Sequence, residues 1–220
     1  TDEGIEIFEY FYADGIRDYV KELAGENPLT SVYSVNTEGR GRDRQDKPEY
    51  KVKIDVAFCF HNTVNVLEYY HNSSFLEYGG SPDKAVRNAF VYAIDQYLKA
   101  NGKYNKNESK ITFADVADSL IFISNSFSTM TSYENQTKKA ITNKFIQEFM
   151  TNFLRHALEV YFIENRADAE KITGQVLINK RSRESAEKAR LNVKKQLTSN
   201  LDINNRVQKF VDCRTKDITR

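Results

Sequence analysis

The sequence predicts a two-layer α/β (α+β) domain that leads into a long helix. Between Tyr50 and Phe60, apolar residues occupy every second position, which is the period of a strand with one buried face. Residues 82–99 carry apolar side chains at the three-and-four spacing of an amphipathic helix. Residues 139–163 and 167–197 keep helical periodicity with almost no glycine, so two further helices are expected there.

The first half of the chain predicts strands around one short helix. Alternation over residues 5–12 predicts a strand, and a helix at three-and-four spacing follows and stops at Gly25. Further strands are predicted over residues 31–37, 50–60 and 66–70. The intervening residues 38–48 are rich in charge and glycine, so we expect a mobile hairpin loop outside the core.

The second half alternates helix and strand. Ser81 is the expected N-cap of the helix over 82–99, with Pro82 at its first position. The polar residues 101–110 predict a loop, and Thr112 is expected to cap a short helix over 113–118. Residues 120–127 predict a further strand.

Composition describes a globular protein whose charges nearly cancel. The formal net charge of +1 gives no overall preference for nucleic acid or a membrane surface. No apolar run approaches the roughly 18 residues that a membrane-spanning helix needs. Cys59 and Cys213 have no metal-ligand spacing and are typical of free thiols in a reducing compartment, so we expect a cytoplasmic protein.

The sequence contains no complete set of catalytic motifs. A P-loop, a dinucleotide fingerprint and a serine elbow are absent, and the histidines His61, His71 and His156 have no zinc spacing. We therefore expect no metal site. The chain also begins inside a predicted strand and ends in polar residues 212–217, which suggests a piece of a longer polypeptide.

Three segments have both a functional and a structural interpretation. Residues 133–138 form a polar loop ending in Lys138, which either reaches a phosphate or belongs to a solvated turn. The Gly79-Gly80-Ser81-Pro82 segment precedes a helix and forms either an anion cradle or a tight turn, although Pro82 removes one donor. The basic residues of 181–195 either form helical ion pairs with Glu184 and Glu187 or face DNA phosphates.

Four segments occur in an order that resembles the transducer domain of the DNA gyrase B subunit and its topoisomerase IV relatives. Gln136-Thr137-Lys138, with Asn143 five residues on, is similar to the family's Gln-Thr-Lys loop. Gly79-Gly80, with Arg87 seven residues after Gly80, resembles its Gly-Gly-Thr-His turn and following helix. Residues 183–190 resemble its basic helix, and residues 212–213 resemble the link into its metal-binding Toprim domain.

The resemblance implies a ribosomal S5 domain 2-like fold with a left-handed crossover and a long C-terminal helix. It divides the chain into a transducer domain (1–165), a basic helix that projects toward the DNA-cleavage core (166–200) and a linker toward an absent Toprim domain (201–220). It implies ATP and Mg²⁺ in the full-length protein, with Mg²⁺ bound outside this chain. The implied partners are DNA, the protein's own ATPase and Toprim domains, a gyrase A-like subunit and a second copy in a homodimer, with no membrane.

The resemblance also implies the roles of individual residues. Lys138 and Gln136 are expected to touch the γ-phosphate of ATP, with Lys138 as a catalytic contact. Five residues of the last helix are expected to bind DNA: Arg181, Arg183, Lys188, Arg190 and Lys194. The implied function is to couple ATP hydrolysis to DNA strand passage within a type IIA topoisomerase, and the chain alone should not hydrolyse ATP.

This sequence departs from the family pattern at the glycine turn and before the Gln-Thr-Lys motif. Ser81-Pro82 replaces Thr-His, Ala85-Val86 replaces Gly-Phe, and Asn135 replaces the glycine that precedes the motif. Asparagine tolerates a left-handed backbone better than most residues, so this replacement is compatible with a loop that requires one at position 135. Two other functional classes remain open: a passive DNA-binding module that uses the basic helix, and a small-molecule kinase, for which Gly79-Gly80 is a poor phosphate loop.

Overall fold

The structure, a computed structural model, describes residues 11–200 of the chain. In chain order the elements are α1 (Ile16–Ala24), β1 (Tyr33–Gly41), β2 (Tyr50–Phe60), β3 (Val66–His71), β4 (Ser74–Phe75), β5 (Gly79–Gly80), α2 (Ser81–Ala100), α3 (Phe113–Ala117), β6 (Leu120–Ser128), β7 (Ala140–Ile141), α4 (Lys144–Glu164) and α5 (Arg166–Asn200). Most of the strand predicted over 5–12, the linker 201–220 and Cys213 lie outside the described residues.

A five-stranded sheet in the order β1-β2-β6-β3-β4 forms the centre of the fold. β1, β2 and β6 pair antiparallel, whereas β3 runs parallel to β6 and reaches it through α2 and α3. The alternation that predicted β2 is confirmed, because the alternate residues from Tyr50 to Phe60 all belong to the main core. A period of two places such residues on one face of the sheet.

Helices cover both faces of this sheet. α2, α4 and the first turns of α5 pack on the main core, in which Phe58 and Phe90 meet edge to face with ring centroids 5.2 Å apart. On the opposite face α1 contributes Val20 and Ala24, which pack against Ala57, Cys59 and residues of β6. The α/β class with a long C-terminal helix is confirmed.

The first four residues of the segment predicted as a mobile loop over 38–48 are strand. β1 continues to Gly41, which leaves residues 42–49 as the turn into β2. A Cβ at Gly39 would lie 2.6 Å from the ring of Phe149, and a Cβ at Gly41 would lie 2.2 Å from the ring of Phe145. The prediction was wrong for residues 38–41 alone, because the glycines at 39 and 41, which locally indicate flexibility, make room for two aromatic rings of α4.

Helix boundaries follow local capping chemistry with two exceptions. Thr112 begins α3 as predicted, and its backbone N–H donates to the Asp115 carboxylate at 2.7 Å. The N-cap of α2 is Gly80 rather than Ser81, because the Ser81 hydroxyl donates instead to the Ile141 carbonyl at 3.2 Å. α4 begins at Lys144 instead of residue 139, because the preceding residues pair as β7.

The C-terminal helix changes character along its length. Its first turns bury Ala169, Ile172 and Val176 in the main core, and the side chain of Lys180 is fully buried with its ammonium 3.0 Å from the Glu108 carboxylate. The chain divides into two compact units, residues 1–180 and 181–220. Among the helices of residues 11–200, none is long and apolar enough to cross a bilayer.

Candidate functional site

The segment between β6 and α4 folds back on itself and presents its polar tip to solvent. Tyr133 and Ile141 form an antiparallel bridge, and the Glu134 N–H donates to the Ala140 carbonyl at 3.0 Å. Residues 134–138 are exposed beyond this bridge. The paired base therefore holds a short tip that contains Gln136 and Lys138.

Lys138 occupies the conformationally unusual position of the tip. Its φ of 58° lies in the left-handed region, whereas Asn135 does not adopt this conformation. Asn135 instead folds its side chain over the turn, and its Oδ1 accepts from the Thr137 N–H at 3.2 Å. The Lys138 ammonium lies 5.6 Å from the centroid of the Tyr133 ring.

The two neighbouring lysines differ in their electrostatic surroundings. Lys139 is half-buried and forms an ion pair with Glu77, whose carboxylate raises the Lys139 pKa through a hydrogen bond. Lys138 is exposed and has no carboxylate within ion-pair distance among residues 11–198. Lys138 is thus the lysine of this pair that remains available to an incoming anion.

The glycine turn and the Gln-Thr-Lys loop lie side by side. β5 and β7 form a parallel pair in which Gly80 is opposite Ile141, and the Tyr78 N–H donates to the Lys139 carbonyl at 3.0 Å. A Cβ at Gly80 would lie 2.2 Å from the Ile141 carbonyl oxygen, so glycine permits this close approach. The glycine turn and the segment that follows the Gln-Thr-Lys motif therefore pair directly, although 60 residues separate Gly80 from Ala140 in the sequence.

The glycine turn is a docking element and not an anion cradle. The Gly79 N–H donates to the Leu76 carbonyl at 3.0 Å, and the Gly80 N–H donates to the Tyr78 carbonyl at 2.7 Å. Ser81 and Pro82 are buried. The amides of both glycines are therefore already used within the turn, which leaves neither of them for an anion.

Two of the other residues singled out in the sequence have structural roles. Arg87 pairs with Asp83 at 2.6 Å and lies 4.5 Å from the centroid of the Phe113 ring. His71 is buried, and its ring nitrogens hydrogen-bond Ser126 at 2.8 Å and Thr131 at 2.9 Å. Burial lowers the pKa of the His71 imidazole to about 4, so the ring is neutral near pH 7 and anchors the incoming end of the loop.

The predicted DNA-binding residues all lie on α5 beyond Lys180. Lys188, Arg190 and Lys194 are exposed, Arg181 is exposed, and Arg183 is half-buried. At 3.6 residues per turn, Arg181 and Lys188 share one side of the helix, and the other three lie roughly 180° away. The structure thus separates the predicted set into two opposite sides of the helix.

Sequence reasoning missed the residues that hold the loop. The Asp43 carboxylate reaches the Asn143 side chain at 3.0 Å across 100 residues of chain, and Gly80 meets the backbone of Ile141. Neither contact has a local sequence pattern. The sequence offered one signal: Gly79, Gly80 and Asn143 all belong to the segments that resemble family motifs.

Comparisons with known proteins agree with this geometry. A family model described as DNA gyrase B matches residues 15–192 of the chain. The chain belongs to the DNA gyrase B family. It is 27% identical over 210 residues to the DNA gyrase B subunit of Campylobacter jejuni, covering 94% of this chain and 26% of the relative. With the Mycoplasma pneumoniae protein of the same name it shares 26% identity over 215 residues, covering 96% of this chain and 32% of the relative.

Solved gyrase B family structures share the fold. The 43K ATPase domain of Thermus thermophilus gyrase B, solved with an aminocoumarin, superposes with a TM-score of 0.63 at 23% identity, covering 80% of this chain and 45% of that one. The topoisomerase IV ATP-binding domain of Francisella tularensis gives a TM-score of 0.63 at 20% identity, covering 79% and 44% of the two chains. The chain spans a third or less of the length of the two curated gyrase B relatives.

Proposed function

We propose that the chain is the transducer segment of an ATP-dependent type IIA DNA topoisomerase subunit. In this role Lys138 and Gln136 contact the γ-phosphate of ATP held by an adjacent ATP-binding domain. The supporting observation is that the Lys138 ammonium is exposed and has no ion-pair partner among residues 11–198. It lies at the tip of a loop whose base is held by the Tyr133–Ile141 bridge and by the pairing of β5 with β7.

The donor set of the tip fits a terminal phosphate. A lysine ammonium supplies a positive point charge and the Gln136 amide supplies a neutral donor, which together suit the phosphate oxygens. ATP bound at this tip would undergo phosphoryl transfer to water, and Lys138 would stabilise the charge that develops on the transferred group. Lys138 is therefore the proposed catalytic contact of this chain, whereas Mg²⁺ would be held by residues outside it.

The anchored base suits the loop to transmit a change in nucleotide state. Because the tip is joined to α2 through the Gly80–Ile141 pair, an interaction that forms or breaks at Lys138 acts on the body of the domain. Two solved neighbours are titled as ATPase or ATP-binding domains, and this chain covers less than half of each. We propose that an ATP-binding domain lies in the same polypeptide, and that a gyrase A-like subunit and a second copy complete the enzyme.

Hydrogen exchange in the complete subunit tests this proposal. A non-hydrolysable ATP analogue is expected to slow exchange of the amides of residues 134–139 at least fivefold relative to ADP, since only the analogue carries a γ-phosphate. The largely exposed loop over residues 101–110 serves as the internal control and should exchange equally in both states. Equal protection of residues 134–139 by ADP and the analogue would contradict γ-phosphate sensing.

The basic part of α5 supports a second proposal, that this chain also contacts DNA. Lys188, Arg190 and Lys194 are exposed on a helix that we propose leads toward the DNA-cleavage core, with residues 201–220 as the link to a Toprim domain. Each lysine or arginine that neutralises a phosphate releases a counterion, so binding weakens with salt by about one log-log unit per contact. This electrostatic attraction carries no sequence specificity.

The salt dependence of duplex binding measures that contact. Replacing Lys188, Arg190 and Lys194 by alanine is expected to reduce the log-log salt slope of duplex affinity by roughly one to two units, because Lys188 lies on the opposite side of the helix from the other two. The matched control replaces Lys84, Lys106 and Lys110, three exposed lysines of the first unit, and removes the same charge. Equal slopes for both triple variants would show that the helix has no specific part in DNA binding.

A further inference from the structure

The turn between β1 and β2 contains Asp43, whose carboxylate contacts the base of the sensor loop. The sensor loop comprises residues 129–143. Oδ1 of Asp43 accepts from the Tyr50 hydroxyl at 2.7 Å and from the Phe145 N–H at 2.8 Å. Its Oδ2 accepts from the Asn143 side-chain amide at 3.0 Å. Asn143 is the N-cap of α4 but makes no side-chain cap, so Asp43 supplies the missing acceptor to the first turn of this helix.

Asn143 joins the two arms of the sensor loop. Its side chain is buried, and its Oδ1 accepts from the Ser132 N–H at 2.7 Å. Its Nδ2 also lies 3.0 Å from the Tyr50 hydroxyl and 3.4 Å from the Met130 carbonyl. The arm before the tip and the arm after it therefore meet at a single amide, and Asp43 orients that amide.

The charge and burial of this network make its geometry specific. A carboxylate that accepts three hydrogen bonds holds its donors more tightly than a neutral acceptor would. Removing one acceptor leaves buried donors unsatisfied, and those donors can then be satisfied only if the backbone moves. The rings of Tyr50 and Phe145 pack edge to face with centroids 5.5 Å apart, which restricts such movement.

We infer that Asp43 is a positioning residue for the sensor loop, acting through Asn143 on the placement of Lys138. This inference rests on the proposed function of Lys138. Asp43 lies in the turn over residues 42–49 and contacts the loop base through Asn143, whereas Gly80 contacts it through Ile141, so the two contributions are distinct.

An exchange of the two polar side chains separates positioning from simple stabilisation. Asp43→Asn presents an amide nitrogen to donors, and Asn143→Asp places two carboxylates at hydrogen-bond distance, so each single variant breaks the network. In the double variant Asp43→Asn/Asn143→Asp, the new amide at position 43 can donate to the new carboxylate at position 143. The amide oxygen at position 43 still accepts from the Phe145 N–H, and the carboxylate at position 143 still accepts from the Ser132 N–H. All three variants are compared with Lys138→Ala in the complete subunit.

Two readouts are taken, at least 15 °C below each variant's melting temperature. Each single variant is expected to speed amide exchange over residues 132–139 at least tenfold and to lower kcat for ATP at least fivefold, with KM changed less than twofold. The double variant should return both values to within threefold of the unmodified protein. In a Lys138→Ala background, Asp43→Asn should cause no further fall in kcat.

The outcomes separate the positioning role from the proposed function. If Asp43→Asn lowers the melting temperature but leaves exchange over residues 132–139 and kcat unchanged, Asp43 only stabilises the fold and the inference is wrong. Failure of the double variant to recover loop exchange would also overturn it. If Lys138→Ala leaves turnover unchanged, the sensor proposal fails instead, and the exchange data alone then decide whether Asp43 positions the loop.

Discussion

Replacing Lys138 by alanine in the complete subunit is expected to lower kcat for ATP hydrolysis by roughly ten to a thousandfold. One preorganised charge directed at a phosphoryl group contributes about 1.4 to 4 kcal/mol to transition-state stabilisation. We expect a smaller effect on KM, because the neighbouring domain is proposed to make most contacts with the nucleotide. Steady-state turnover over a range of ATP concentrations measures both quantities.

Lys139→Ala is the matched control for this prediction. It removes the same side chain from the adjacent position, but Lys139 is already paired with Glu77 and partly buried. Because the Lys139 ammonium is held by Glu77, it is not available to an incoming phosphate, and turnover of Lys139→Ala should stay within about twofold. Lys138→Ala with normal turnover, or two variants with equal losses, would contradict the assignment of Lys138.

Gly80→Ala is expected to reduce the free energy of unfolding by about 3 kcal/mol. At φ 79° and ψ −126° the backbone occupies a region that only glycine adopts readily, and strain there costs about 1 to 3 kcal/mol. The added Cβ would also collide with the carbonyl of Ile141, which is backbone and has no alternative rotamer. Urea unfolding of the 220-residue chain measures the change.

Gly25→Ala separates these two causes. Gly25 has similar dihedral angles, φ 63° and ψ −149°, but a Cβ there meets nothing within 4 Å. The stability lost at Gly25 should therefore reflect strain alone and be smaller than that of Gly80→Ala by about 2 kcal/mol. Equal losses at the two sites would show that contact with the sensor loop does not require glycine at position 80.

Periodicity predicted the regular elements because burial of one face imposes it. The alternation of β2 and the amphipathic pattern of α2 match elements whose apolar residues share one core, and Thr112 lies at the start of α3 as local capping chemistry predicts. The exposed position of Lys138 also agrees with the polar loop predicted around it. These features depend on residues close in sequence.

The features that the sequence did not predict depend on distant partners. Gly39 and Gly41 continue a strand because α4 packs two phenylalanine rings over them, and Asp43 contacts an asparagine that lies 100 residues away in the sequence. Likewise, the left-handed residue of the loop is Lys138, while the Asn135 side chain accepts from the Thr137 N–H. Local propensity cannot identify such long-range contacts, because each needs the folded sheet to bring its partners together.

The most direct test of γ-phosphate sensing is photolabelling of the complete subunit with an ATP analogue that carries its reactive group on the γ-phosphate. Mass spectrometry of the digested protein should locate the label within residues 133–139, and excess unlabelled ATP should suppress it. Labelling confined to other segments, with residues 133–139 unmodified under conditions that support turnover, would contradict the proposal that Lys138 contacts the γ-phosphate.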